Sequence, residues 1–277
     1  MGAARASNRP NVLGGLGGLL WLLIVLLPVY YVVLTSLRSQ AGFYSSNPLL
    51  PPDEPTLDSY RLVLENDFLR YLTNSLVVTF ATVAVTVSVS LLAAYYVVRG
   101  SGRTAGLTYK VFLLGLAIPL QAVIIPVYYL ITRARLYDTL LAIILPSAAF
   151  AIPLTVVILA NFLRDVPGEL FESMRLDGAG HWRMLVSLVL PLVRPAVITV
   201  AVYDGLTVWN GFLFPLILTQ SPDQRVLPLA LWSFQGQFQV NIPAILAAVV
   251  LSTLPVLALY ILGRRQLVSG LTAGFGR

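Results

Sequence analysis

Cysteine is absent from the chain and histidine occurs once, as His181. The first absence excludes disulfides and thiol chemistry, and the second leaves no imidazole cluster for a transition metal. Charge is scarce as well: 11% of the 277 residues are charged, against roughly 25% in an ordinary soluble domain. Lysine occurs once, as Lys110, so the formal charge of +6 rests on arginine. The arginines are scattered, and without a polar surface of clustered basic and aromatic residues they argue against a nucleic-acid partner. No Gly-x-x-x-x-Gly-Lys-Ser/Thr segment occurs, so a phosphate-cradling loop must sit on another polypeptide if ATP drives this one. The Gly-x-Ser-x-Gly and His-Glu-x-x-His patterns of hydrolases and zinc proteases are also missing. Nothing implies a resident cofactor.

What the chain has in abundance is apolar sequence, at 57% of its residues. Uninterrupted runs reach the length needed to cross a bilayer, about 20 residues at ~1.5 Å rise. They lie at about Val12–Leu34, Ser75–Val98, Thr108–Thr132, Thr139–Phe162, Leu185–Leu218 and Pro243–Leu262, the fifth being longer than one span. The first run follows Arg5 and Arg9 as a signal peptide would, but it is far longer than the roughly 7–15 apolar residues of a cleaved signal. It reads as a retained anchor. The expected fold is therefore all-α, a polytopic membrane protein with six transmembrane helices. Residues 1–73 would hold the first helix and an outer loop, 74–266 a five-helix core and 267–277 a tail.

Six helices put both termini on one side. Basic residues sort as Arg5, Arg9, Arg99, Arg103, Lys110, Arg164, Arg175, Arg183, Arg264, Arg265 and Arg277 on that side, against Arg38, Arg61, Arg70, Arg133, Arg135 and Arg225 on the other. The excess makes the termini and the 164–184 loop cytoplasmic. In the outer loop, Pro48, Pro51, Pro52 and Pro55 favour extended backbone, and Asn74 reads as the cap of the second span.

Within this apolar chain, residues 172–191 form a polar island. Pro167 suits a helix start and Glu169 suits its positive end, so 167–176 reads as a short helix ended by Gly178. Leu170, Phe171 and Met174 fall at helical spacing as an apolar ridge, with Glu172 and Arg175 placed to pair weakly. A helix resting on lipid headgroups would want a basic polar face. Here Glu169, Glu172 and Asp177 oppose that, and a ridge flanked by mixed charge suits a protein groove. Inside the membrane, Asp204 is costly by about 2.5–3.5 kcal/mol unless it faces a cavity or a partner. With Tyr203, Trp209 and Asn210 nearby it offers groups that bond to or stack on a sugar. Alternatively, it is paired for structural reasons. Gln121, with Tyr128 and Tyr129, is a second candidate lining set.

The segment Glu172-Ser173-Met174-Arg175-Leu176-Asp177-Gly178, with Leu188-Val189-Leu190-Pro191 after nine further residues, resembles the E-A-A-x-x-x-G-x9-I-x-L-P signature of ABC importer permeases. Ser173 and Met174 replace its paired alanines. A narrower resemblance runs through Asn74-Ser75-Leu76, Ala93-Ala94-Tyr95 with Arg99, Leu176-Asp177-Gly178-Ala179, Trp209-Asn210, Leu227-Pro228 and the tail Gly270-Leu271-Thr272-Ala273-Gly274. These look like the smaller, maltose-type permease of the carbohydrate uptake transporter-1 family, although Gly211 stands where that family has an acidic residue. The resemblance implies the type I importer permease fold in a bacterial inner membrane. It further implies a heterodimer with a second permease, two ATPase subunits, an extracytoplasmic solute-binding protein and a sugar as solute. A coupling helix at about 165–185 would meet the ATPase through Leu170, Phe171, Glu172, Met174, Asp177 and Gly178. Two alternatives remain: a permease for another solute, such as a glycerol phosphodiester, and an ion-coupled secondary transporter using Asp204. A membrane enzyme fits least, since the spans offer no paired catalytic groups.

Overall fold

The computed structural model describes residues 12–231 and 240–273. The expectations placed on Arg5, Arg9, Arg277 and the last residues of the tail lie outside them. The described residues are largely helical with connecting turns and form two compact units, one drawn from residues 12–66 and 240–251, the other from 67–231 and 252–273.

In the first unit, helix α1 (Val12–Ser36) exposes its apolar side chains along its length, as a helix solvated by lipid or by another protein does. Residues 37–57 fold around one cation. Arg38, 2% exposed, donates to the Asn47 carbonyl at 2.9 Å and also to the Leu50 carbonyl and the Ser46 hydroxyl. The proline-rich stretch 46–57 contains no helix, as the prolines require, but Ser39 caps a short helix α2 (Gln40–Ser45) just before it. Helix α3 (Asp58–Glu65) follows.

The second unit is built on α4 (Phe68–Arg99), which packs along α7 (Leu140–Arg164). Ser75, Thr82, Thr86, Ser90 and Ala94 are buried on one stripe of α4. Small residues at this spacing let two backbones approach closely where hydrophobic burial gives no drive between membrane helices. Because α4 starts at Phe68, Asn74 lies one and a half turns inside it and is not its cap. Its amide instead donates to the Asp223 and Arg225 carbonyls, both at 2.8 Å.

The expected third span is broken. Helices α5 (Arg103–Leu116) and α6 (Ile124–Arg133) meet at 97° across residues 117–123. Pro119 supplies no N–H and biases Ile118 away from helix, which accounts for the break. Helices α8 (Gly168–Leu176) and α9 (His181–Met184) form the polar island, and α9 continues through a π-type turn at Leu185–Val189 into α10 (Leu190–Trp209). The wide turn has a local cause. Leu190 N–H reaches back to Leu185 O, relieving the clash that the Pro191 ring would have with the turn before it. The fifth run then divides: α10 stops at Trp209, and α11 (Leu213–Leu218) is separate. Helices α12 (Leu227–Ala230) and α13 (Ile242–Ala273) complete the described chain. Among the described residues four helices are long and apolar enough to cross a membrane, and the bent α5–α6 pair adds a fifth path. The third of the six expected transmembrane helices is thus a bent pair, and the sixth falls on α13.

Candidate functional site

Two places in the second unit concentrate polar chemistry. The first is the island. Helix α8 ends in a Schellman motif: Ala179 N–H bonds to Met174 O at 2.9 Å and Gly178 N–H to Arg175 O at 3.0 Å, with Gly178 at φ 77°. Phe171, 4% exposed, turns into the chain's own core beside Leu163, Val166, Met184 and Val189, and Met174 packs against the same cluster. This corrects the expected ridge, because Leu170, Phe171 and Met174 do not share an exposed face. The exposed apolar groups are Leu170, Leu176 at 90% and Trp182 at 70%, and Glu172, Asp177 and Gly178 are exposed as well. Glu172 and Arg175 make no ion pair.

Helix α4 holds the island from below. Arg99 donates to Val166 O at 2.8 Å and lies 3.7 Å over the Phe171 ring. Tyr95 bonds to His181 Nδ1 at 3.0 Å. Neither contact is readable from sequence, because Phe171 and His181 lie more than seventy residues from their partners.

The second place is a cavity of about 280 Å³ among α4, α7, α10 and the residues after α10. Tyr203, Asp204 and Trp209 line it. Asp204 is 2% exposed and accepts from Thr155 Oγ1 at 2.9 Å. Asn210 and Gln121 are not on the wall. Asn210 closes the end of α10, donating through Nδ2 to Leu206 O at 2.8 Å, and Gln121 sits exposed in the 3-10 turn Leu120–Val123 that fills the α5–α6 bend. Missed by sequence reasoning are Thr155 and the wall hydroxyls Ser75, Thr79, Ser147 and Thr207. Their signal was present: Ser75 and Thr79, like Tyr203 and Thr207, stand four apart in apolar runs and so share a helix face. Phe150 and Phe214, ring centroids 5.8 Å apart, add apolar wall. A buried carboxylate, several hydroxyls and aromatic faces are groups that bind a polar, uncharged solute by hydrogen bonds and stacking.

Residues 86–269 match the family described as binding-protein-dependent transport system inner membrane component. The chain belongs to this family. It is 38% identical over 254 residues to a putative ABC transporter permease protein, ORF2, of Caldicellulosiruptor sp., a match covering 92% of each chain. It is 32% identical over 266 residues to the trehalose/maltose transport system permease protein MalG of Thermococcus litoralis, covering 94% of each. Among solved structures, a chain of a bacterial ABC transporter involved in the import of the acidic polysaccharide alginate superposes with a TM-score of 0.80 at 18% identity, covering 95% of this chain and 99% of that one. At that identity the likeness concerns the fold, which is that of an ABC importer permease. The protein is accordingly a multi-pass membrane component of a binding-protein-dependent transporter, a translocation subunit and not an enzyme. Secondary transport through Asp204 is set aside by this membership.

Proposed function

We propose that this permease imports a sugar or oligosaccharide across a bacterial inner membrane, paired with a second permease, two ATPase subunits and an extracytoplasmic solute-binding protein. Both termini and the α8–α9 island face the cytoplasm, in line with the basic excess on that side. Residues 74–266 act as the core and 267–277 as a cytoplasmic tail. Helix α8 is the coupling helix. Its open face, Leu170, Leu176, Glu172, Asp177 and Gly178, enters a cleft on the ATPase, while Phe171 and Met174 anchor it to the membrane helices. Closure of the ATPase pair then pulls on α8 and reorients the spans around the cavity, where Asp204, Tyr203 and Trp209 meet the solute.

The observation that carries this reading is the shape of the island: a short helix pinned from inside by Phe171 that leaves Leu176 and Trp182 bare beside unpaired Glu172. Apolar groups bared among charges are how a helix enters a protein groove. The trehalose/maltose relative supports a sugar as the solute.

The test is purification from native membrane with mass spectrometry of what co-purifies, repeated for Glu172→Ala and Gly178→Ala. An ATPase, a second permease and a binding protein holding a sugar are expected, with ATPase recovery and uptake falling in both variants. Unchanged recovery and uptake would refute the coupling assignment. A non-sugar ligand on the binding protein, such as a glycerol phosphodiester, would replace the solute class and leave the coupling assignment standing.

A further inference from the structure

Helix α4 differs from every other described helix of bilayer length. Pro28 lies in α1, Pro146 and Pro153 in α7, Pro195 in α10 and Pro255 in α13, whereas α4 has no proline over its 32 residues. It also contains no glycine. Sharp kinks arise at proline, at glycine pairs or at π-type turns, so α4 is the stiff rod of the bundle.

Each end of this rod is tied by side chains to a different part of the chain. At one end Arg99 holds Val166 O and the Phe171 ring, and Tyr95 holds His181, so a single turn grips both limbs of the island. At the other end Arg70 pairs with Asp223, Asn74 spans the Asp223 and Arg225 carbonyls, and Ser75 Oγ accepts from Leu227 N–H at 2.8 Å. Between the ties, Val78 and Thr79 form part of the cavity wall. Asn74 and Arg99 are about 37 Å apart along the helix at ~1.5 Å per residue.

We propose that α4 transmits movement of the island to segment 222–227, with Arg99 and Tyr95 as positioning residues at one end and Asn74 and Arg70 at the other. The proposal rests on α8 being the coupling helix. Displacing α8 drags the ring under Arg99 and the ring nitrogen under Tyr95; an unkinked helix shifts as a body; the wall and the 222–227 segment shift with it.

Fasteners that only hold the fold would also weaken the protein when cut, so the decisive readout is energetic coupling between the ends. Sites this far apart with no shared partner ordinarily give additive effects. The intact transporter, purified with its own ATPase and binding protein and reconstituted in liposomes, is assayed for solute moved per ATP hydrolysed. Arg99→Ala is expected to lower that ratio roughly tenfold, the size of a typical coupling between sites, while the ATPase stays bound. Arg99→Lys, which keeps a cation and a donor, restores most of it, and Asn74→Ala alone lowers it several-fold. The double variant Arg99→Ala with Asn74→Ala is expected to be no worse than Arg99→Ala, since a rod already released at one end has nothing to carry. Multiplying effects, or an unchanged ratio in Arg99→Ala, would overturn the proposal. If Arg99→Ala fails to assemble, the same cycle is run with Tyr95→Phe, which removes one hydroxyl, and additivity there is equally fatal. Normal ATPase recovery and uptake in Glu172→Ala and Gly178→Ala would remove the coupling-helix reading and the proposal together, whereas additivity with those variants impaired removes the proposal alone.

Discussion

Asp204 and Glu172 are both carboxylates in an apolar chain, and the structure treats them in opposite ways. Asp204 is buried, with one in-chain donor, Thr155, beside a cavity. Glu172 is exposed on a short helix and has no ion pair. An ionised carboxylate has about four acceptor positions, so Asp204 has capacity left over, and what can use it must fit the cavity. Glu172 is solvated, and what meets it must arrive as a surface. On the proposed reading the first arrangement meets a small molecule and the second a protein. The two regions are distinct, and α4, α7 and α10 contribute side chains both to the core around Phe171 and to the cavity wall.

The comparison breaks most severely at Phe171. Truncation to alanine empties a buried site, which costs about 3–5 kcal/mol, and takes the ring from beneath Arg99. Phe171→Ala is expected to lower the melting temperature of the purified transporter and to abolish ATPase recovery, with solute affinity in the cavity, measured on protein that remains folded, little changed. Loss of solute binding with the ATPase retained would mean that the island and the cavity have been assigned the wrong way round.

Asp204→Asn sharpens the other side. Asparagine keeps the shape and the acceptor for Thr155 but removes the charge, and a hydrogen bond to a charged group contributes about 1.5–3 kcal/mol. Uptake is expected to fall by at least about tenfold while thermal stability and ATPase recovery hold. If stability falls instead and uptake per folded transporter does not, Asp204 is a structural member of the α7–α10 contact.

Gly178 gives a smaller effect with a cleaner cause. A Cβ there would meet no atom within 4 Å, so the constraint is the φ of 77° alone. An L-residue in that region costs about 1–2 kcal/mol, and asparagine tolerates it better than alanine. ATPase recovery should rank Gly178, then Gly178→Asn, then Gly178→Ala. Equal recovery for Asn and Ala would show that the Schellman turn does not set the position of α9.

The island's end was legible because a glycine after an amphipathic turn has one physical reading, and Asp204 was legible because a carboxylate in an apolar run demands a reason. The direction of Phe171 was not. Helical spacing places Leu170, Phe171 and Met174 on one side of α8 but does not say whether that side meets solvent or the membrane core, which depends on the distant Leu163, Met184 and Arg99. The α5–α6 break could be traced to Pro119, yet Pro146 and Pro153 lie inside an unbroken α7. Proline permits a break and tertiary packing decides whether one occurs. Asn74 was misplaced for the same reason: its two acceptors lie about 150 residues away.

Asp138 supplies the mildest test, because it separates exposure from lack of partners. It is only partly buried, yet its carboxylate accepts from Gln220 N–H at 2.8 Å and Ser221 N–H at 3.0 Å, and its own N–H donates to Leu218 O at 2.9 Å, so it ties the turn before α7 to the end of α11. Those two backbone amides hold its carboxyl below the ordinary value of 3.8. A group depressed on folding stabilises the fold above its unfolded pKa, and that contribution drains away as pH falls from there through the lower folded value. Asparagine accepts the same two bonds without titrating. The melting temperature of Asp138→Asn is therefore expected to match the parent near neutral pH to within a few degrees and to decline less steeply below 3.8. Identical slopes would mean that these amides do not hold the carboxylate when the protein is folded.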